Sequence, residues 1–353
     1  MPVKIEELPS SRKLVLGRDC GYFPVVSTMG GEHILIVYRA GAGHMGINGR
    51  LEAIISHDDG LCWTDPIVVA DSPLDDRNPS IGVTKDGIVV VAYHVNGNYV
   101  GDERCDPTMN RLYTYLARSH DGGRTWEEPY ELNVRDFRGY SPYGQMLTLQ
   151  NGSLLMPIYG PCRHEEGKVE VVRTHILCSE NSGVTWQHYA TLAENENESS
   201  ILMLPNGEMM AAMRSEKDSH LSTSFSHNEG RTWQFHQDIT HEYEHPACLT
   251  LLSGGEVLLS YGRRANPFGA RALLSTDAGR TWITQKEMIF GDDCPNADCG
   301  YPSTVLLDSG RLATAYYSTS QLDGWSCMGA RLNFITYDEE KLLQALAEPT
   351  KRE

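Results

Sequence analysis

The feature that most constrains this chain is an eight-residue motif, Ser-x-(Asp/Asn)-x-Gly-x-x-Trp. It occurs as SHDDGLCW from Ser56, SHDGGRTW from Ser119, SENSGVTW from Ser179, SHNEGRTW from Ser226 and STDAGRTW from Ser275. Successive starts are 63, 60, 47 and 49 residues apart. A period near 50 residues with strand-rich units is the signature of a repeat array, and propeller blades have this size. Each box has the chemistry of a hairpin turn. The Asp or Asn side chain accepts backbone N–H bonds, Gly takes a positive φ, and Trp packs beneath. Every box is therefore read as structural rather than catalytic.

A second repeat, offset from the first, counts the units. Segments that open on an x-Pro or x-Ser step, run through apolar residues, turn at Gly and re-enter an apolar strand begin at Tyr22, Arg77, Tyr140, Asn197, Glu244 and Tyr301. They read as hairpins of alternating or fully apolar strands, the pattern of sheets stacked face to face. Six hairpins predict an all-β, six-bladed β-propeller with four-stranded antiparallel blades. The blades run roughly over 14–70, 71–132, 133–192, 193–238, 239–289 and 290–337, in one domain spanning 1–353. The last blade has no box, and the N-terminal strand KLVLG from Lys13 is predicted to complete it and remove free sheet edges. The tail YDEEKLLQALAEP places Leu342, Leu343 and Leu346 on one side and predicts a short C-terminal helix.

Composition acts by exclusion. A net charge of −17 with no local Lys/Arg run argues against nucleic acid and anionic membrane surfaces as partners. A chain of 353 residues buries about three quarters of its unfolded surface, so a core needs neither disulfides nor metal. Nine cysteines, odd in number and scattered, with Cys178 and Cys248 in apolar strand-like segments, read as buried thiols of a reducing compartment. Neither Cys294 with Cys299 nor Cys20 with Cys62 has the CxxC spacing of a zinc site, so no metal or cofactor is expected. The N-terminus MPVKIEELPSSRKLVLG has no apolar signal-like stretch, and no later run suits a membrane span. The expectation is a soluble, cytoplasmic protein; the oligomeric state is left open.

The boxes together with the offset hairpin repeat resemble the sialidase (neuraminidase) superfamily over roughly residues 14–337. The resemblance implies a central site with a Tyr nucleophile polarised by Glu, three Arg holding the sugar carboxylate, and an Asp acid/base. NESSILMLPNGEMMAAMRSE looks like the family's stretch from Glu to its second Arg, giving Glu198 and Arg214. CGYPSTVLLDSGRLATAYY looks like the stretch with the nucleophilic Tyr, giving Tyr301. Glu198 and Tyr301 each precede an inner strand and should reach the same height on the central face. A phenol with a pKa near 10 becomes a useful nucleophile when a carboxylate takes its proton. The third Arg falls among Arg263, Arg264 and Arg271, of which Arg263 and Arg271 are carried forward, with Arg271 preferred as the start of a strand.

Two family features are missing. The Phe/Tyr-Arg-Ile-Pro motif reads GYFP, with Tyr22 in the Arg position, and the acid/base segment reads HILIVYRAGAGH, with Arg39 near the Asp position. Arg39 is a candidate to supply the missing guanidinium. Asp75, Asp76 or His44 are candidates for the proton, with Arg77 beside them in DDRNPS. Tyr140, His245 and Tyr316 fall at hairpin ends among other polar rings, as sugar stacking requires. The expected partner is an acidic glycan or glycoside, and the expected activity is exo-glycosidic release of sialic acid or a related ulosonic or uronic acid, with retention. The alternatives are a polysaccharide lyase acting on uronates and a non-catalytic glycan-binding propeller.

Overall fold

A computed structural model describes residues 2–101, 104–106, 109, 111–135, 137–162, 171–319 and 329–348. The chain forms a six-bladed β-propeller. Blade one consists of Tyr22–Thr28, Ile34–Ala40, Arg50–Ser56 and Ile67–Ala70 in antiparallel order from the axis outward. The inner strands of the later blades are Asp75–Val83, the pieces Ser141–Pro142 and Leu147–Thr148, Glu196–Met203, Glu244–Leu251 and Cys299–Leu306. Neighbouring inner strands touch around the ring. Second strands such as Ile34–Ala40 (ILIVYRA) are buried along their whole length, because each face of a blade packs against another blade.

The core follows from that stacking. Six apolar clusters fill the six spaces between adjacent blades, for instance Val25, Leu35, Val91 and Ala117 between blades one and two. A seventh cluster is different in kind. Tyr22, Phe23, Tyr143, Tyr301 and Tyr317 gather near the axis with Tyr159 against them.

The boxes are hairpin turns between third and fourth strands. In the first, Ser56 Oγ accepts from Gly60 N at 2.9 Å, Asp58 Oδ1 accepts from Cys62 N at 2.8 Å, and Trp63 Nε1 donates to the Gly60 carbonyl at 3.2 Å. Gly60 has φ of 82°, and a Cβ there would stand 2.6 Å from the Phe334 ring, so both conformation and packing require glycine. Because strands alternate in direction, these turns lie on the face opposite the one where inner strands begin.

Arg12–Arg18 pairs with Arg331–Asp338 and completes blade six. The sequence did not disclose a second closure, in which Val3–Lys4 adds a parallel fifth strand to blade five beside Met288–Gly291. The helix Glu339–Ala347 is capped by Asp338 and buries Leu342 and Leu346, with Leu343 partly buried beside them; Pro349 at the end of the expected tail lies outside the described residues. No helix among the described residues is long and apolar enough to cross a membrane.

Blade three departs from the expected continuous hairpin. Its inner strand breaks after Pro142, which has no N–H to donate, and Gly144 at φ 74° turns Gly144–Gln145 across to pair in parallel with blade two. The detour directs Tyr143 into the axial cluster. It also sends Gln145 Nε2 to the carbonyls of Val26 (2.9 Å) and Thr304 (3.2 Å), tying blade three to blades one and six across the axis.

Candidate functional site

Inner strands begin on the face that carries the site, and five of the six slip register there: between Tyr22 and Val25, Arg77 and Ser80, Glu196 and Ser199, Glu244 and Ala247, and Gly300 and Ser303. Such bulges take residues out of the ladder and re-aim their side chains. Phe23, Asn78 and Tyr301 occupy three of them with φ of 52°, 50° and 50°, each followed by proline. A left-handed backbone in a bulky residue costs of order 1–3 kcal/mol and persists only where the surroundings impose it.

Tyr301 and Glu198 meet at this level: the Tyr301 hydroxyl donates to Glu198 Oε1. They do so from adjacent rather than equivalent positions, since pairing resumes one residue after Glu198 but two after Tyr301. Arg214, near the end of Met209–Ser215, donates to Glu198 Oε2 at 2.9 Å and to Ser219 Oγ at 3.3 Å. Its Nε is buried with no partner, and its side chain is 23% exposed. Burial, then the Glu198 charge, holds the Tyr301 phenol well above 10, with Arg264 and Arg214 pulling against them.

Arg264, one residue beyond Val257–Arg263, lies 5.0 Å over the Tyr301 ring and donates to Tyr317 Oη at 2.8 Å and to the Cys299 carbonyl at 3.1 Å. Tyr317 in turn donates to Asp298 Oδ1 at 2.7 Å, and the same oxygen is 2.7 Å from His44 Nδ1. His44 stands edge-on to Phe23 at 5.0 Å, and burial lowers its pKa to about 4 against the pull of Asp298, with Arg77 and Arg264 lowering it further. Arg77 lies 5.3 Å over the Phe23 ring and 3.3 Å from Asp75 Oδ2. Burial works against the charges of Arg77, Arg214 and Arg264, while the carboxylates of Asp75, Glu198 and Asp298, respectively, favour them. Asn78 bridges to Ser141 Oγ (3.0 Å) and Tyr159 Oη (3.4 Å) at the blade three side.

Thus Tyr301, Glu198, Arg214, Arg77, His44 and Tyr22 of the sequence-derived set come together. His245 lies alongside, buried, with its imidazole kept neutral by burial and by the charges of Arg264 and Arg214. The rest lie elsewhere. Arg39 pairs with Tyr22 in the ladder but is fully enclosed, and its five N–H donors go to Asp75 Oδ1 (2.9 and 2.7 Å) and the carbonyls of Ala42, Gly43 and Gly46. It clamps the His44 loop. Asp76 accepts from Ser72 N and Ser72 Oγ, both at 2.7 Å, and is a turn cap whose pKa burial raises to about 6.

Arg263 pairs with Glu244 at 2.6 Å. Arg271 is enclosed in the third strand of blade five, where it donates to the carbonyls of Ala270 (3.3 Å) and Gly291 (2.5 Å). Tyr316 donates to the Phe290 carbonyl at 3.2 Å in the layer between blades five and six, and Tyr140 donates to the Pro161 carbonyl at 3.1 Å beside Phe137. The period of two explains the misses: Tyr316 and Tyr317, like Arg263 and Arg264, must face opposite ways, and only register tells which faces the axis. Asp298 was missed because it belongs to no box or hairpin step, although it stands three residues before Tyr301.

The fold and this axial constellation define a box-bearing six-bladed propeller with a polar-aromatic centre. Residues 32–314 match the BNR repeat-like domain, and the chain belongs to that family as a divergent member of the sialidase superfamily. A sialidase of Bacteroides fragilis is 23% identical over 268 residues, covering 69% of this chain and 47% of that protein, so the chain spans about half the length of this relative. Among solved structures, a protein of unknown function from Dyadobacter fermentans is 24% identical with a TM-score of 0.75, covering 93% of this chain and 99% of that one. A Trypanosoma rangeli sialidase, solved with the inhibitor DANA, is 14% identical with a TM-score of 0.71, covering 96% and 62%. At these identities the structural likeness concerns the fold.

Proposed function

We propose that this protein is a retaining, sialidase-like exo-glycosidase that releases an acidic sugar from a glycan or glycoside, with Tyr301 as nucleophile and Glu198 as its base. The observation that carries this reading is the hydrogen bond from Tyr301 to a carboxylate that Arg214 holds from its other oxygen. A buried phenol of raised pKa attacks only if its proton leaves as the bond forms, and Glu198 is in contact to take it. The phenol oxygen bonds to the anomeric carbon as the glycosidic C–O bond breaks, giving a tyrosyl glycoside that water opens in a second displacement. A Tyr nucleophile is the recognised exception to the two-carboxylate scheme of such enzymes.

Three guanidiniums lie at this level and suit a sugar carboxylate: Arg264 over the Tyr301 ring, Arg214 on the carboxylate that Tyr301 contacts, and Arg77 over the neighbouring Phe23 ring. In this reading Arg77 from blade two takes over from the arginine whose place Tyr22 fills in blade one, and Arg264 is the third. His44, neutral at pH 7 and braced by Asp298, suits activation of the water in the second step. A neutral imidazole is a poor acid, so aryl glycosides, whose leaving groups need no proton, are the preferred test substrates.

The test is release of 4-methylumbelliferone from α-sialoside, KDN and uronide conjugates by wild type and Tyr301→Phe. Turnover of one member, lost in the variant, and labelling of Tyr301 by the matching fluorinated sugar support the reading; unlabelled Tyr301 with inversion observed by NMR refutes it. One observation favours a second reading. A neutral His44 beside three arginines suits proton abstraction next to a uronate carboxylate, so the lyase remains the competitor. Its product carries an unsaturated bond that absorbs in the ultraviolet, which hydrolysis never produces.

A further inference from the structure

A cleft of about 660 Å³ opens between blades one and two, and none of its lining residues belongs to the axial cluster. One wall is the outer strand of blade one, Ile67–Ala70, with the turn that follows it to Leu74. The other wall is the stretch Arg124–Pro129 beyond the second box. Between them lie Tyr93 and Val95 from Val89–Asn96, and Tyr113 and Tyr115 from Leu112–Ser119. Tyr93 pairs with Tyr115 and Val95 with Tyr113, so a period of two on both strands puts all four side chains on one face. Nearer the axis the same space is filled by aliphatic residues such as Val25, Leu35 and Val91, whereas here rings take over.

We propose that this cleft is a second carbohydrate-binding site, for an uncharged pyranose, separate from the axial site. The rings form a continuous platform. Tyr93 and Tyr115 are 6.1 Å apart and tilted by 31°, Tyr115 and Tyr113 are 6.4 Å apart and nearly edge-on, and Trp126 adds a fourth ring. A pyranose lays its C–H face on such rings and turns its hydroxyls to polar groups at the edges. Burial, then the charge of Asp76, holds the Tyr93 phenol well above 10, so its hydroxyl can both donate and accept.

The charges select the ligand. Asp71, Glu127 and Glu128 bring three carboxylates against the one guanidinium of Arg124. That guanidinium is turned to the Asp121 carbonyl at 3.1 Å and to His57 Nε2 at 3.2 Å. Glu127 is held by Arg118 at 2.9 and 3.0 Å, but among the described residues nothing donates to the carboxylates of Asp71 or Glu128. An anionic sugar would meet this excess of negative charge, whereas neutral hydroxyls can donate to it. A small organic cation is the poorer fit. One face of Tyr113 already carries Arg138, at 4.7 Å, and the volume is that of a whole small-molecule ligand rather than a single ammonium group. The rings also set this cleft apart from one of similar size, about 680 Å³, that is lined from Thr148 to Leu251 without any aromatic residue.

The test is saturation-transfer NMR and calorimetry on the full chain with methyl β-galactopyranoside, methyl β-glucopyranoside, lactose and tetramethylammonium. The expected result is that at least one sugar binds with a Kd of order 1 mM, with saturation strongest on its ring C–H protons. Tyr115→Ala should weaken that binding about tenfold, the loss expected for one stacking ring. Should Tyr115→Ala fail to fold, Val68→Trp decides, because it places bulk in the cleft from an exposed position on its wall and should abolish binding. Failure of every sugar to bind, binding of tetramethylammonium alone, or sugar binding undiminished by Val68→Trp overturns the proposal. None of these readouts depends on whether any acidic glycoside is turned over.

Discussion

Two arginines at opposite sides of the site show how one residue type serves different ends. On the blade one side, Arg39 has every donor occupied, by Asp75 and three loop carbonyls, and no exposed surface. On the blade four side, Arg214 makes two bonds, keeps a buried Nε without a partner, and remains partly open. The first is a clamp whose guanidinium neutralises a buried carboxylate and shapes the loop that carries His44. The second has donor capacity left over, which the proposed role of holding a sugar carboxylate requires. In the proposed reading, the half of the site built by blades four to six supplies the retained elements Glu198, Arg214 and Tyr301, while the blade one and two half is rebuilt around Tyr22, Phe23, Asp75 and Arg77.

The sharpest way to break that contrast is in the retained half. Glu198→Gln should lower kcat/KM on an active aryl glycoside by about 10²–10⁴-fold, the range for losing a positioned proton acceptor. A loss under about tenfold would remove Glu198 from the chemistry. In the rebuilt half, Arg39→Met leaves Asp75 buried with much of its compensation gone. It should cost about 3–5 kcal/mol in urea-unfolding stability. A stable Arg39→Met protein with impaired substrate affinity would instead make Arg39 a binding residue and dissolve the comparison.

Arg214→Lys should do the reverse, leaving the unfolding midpoint nearly unchanged while kcat/KM falls about 10- to 100-fold, as expected when a charged hydrogen bond of roughly 1.5–3 kcal/mol is lost. Far from either half, Asp121→Ala in the second box removes acceptors for Thr125 N (2.9 Å) and Thr125 Oγ1 (2.6 Å) and should cost about 1 kcal/mol with unchanged kinetics. Those bonds depress Asp121 to about 2, so its contribution is present above the ordinary carboxylate pKa and disappears as pH falls through about 2.

His44 gives the smallest and most diagnostic effect. Its folded pKa, near 4, lies below its unfolded value of 6.5, so its neutral form favours folding above pH 6.5 and that contribution is lost as pH falls through about 4. Imidazole NMR shifts of His44 should titrate near pH 4, and in Asp298→Asn, where the carboxylate is lost, the midpoint should fall. An upward move would mean that Asp298 does not stabilise the imidazolium.

How much of this was legible in the sequence depended on whether the signal was local. The boxes declare their own hairpins because Ser, Asp and Gly within eight residues satisfy one another's hydrogen bonds, as Ser56, Asp58 and Gly60 do. Six hairpin steps likewise counted six blades, and the Leu342 and Leu346 spacing announced the helix. The partnership of Glu198 and Tyr301, 103 residues apart, was reachable only through a resemblance, since no spacing rule joins them.

By itself, the sequence determined the fold, because repeated local patterns of apolar alternation and turn chemistry each specify one blade and six such blades close a ring. Tertiary structure alone decided which polar residues face the axis. Arg264 rather than Arg263 or Arg271, Tyr317 rather than Tyr316, and Asp298 rather than Asp76 were chosen by strand register, by the bulges before Ser80, Ser199 and Ser303, and by the detour of blade three at Gly144. A shift of one residue turns a side chain to the other face of its strand, and the interactions that set the shift lie in neighbouring blades.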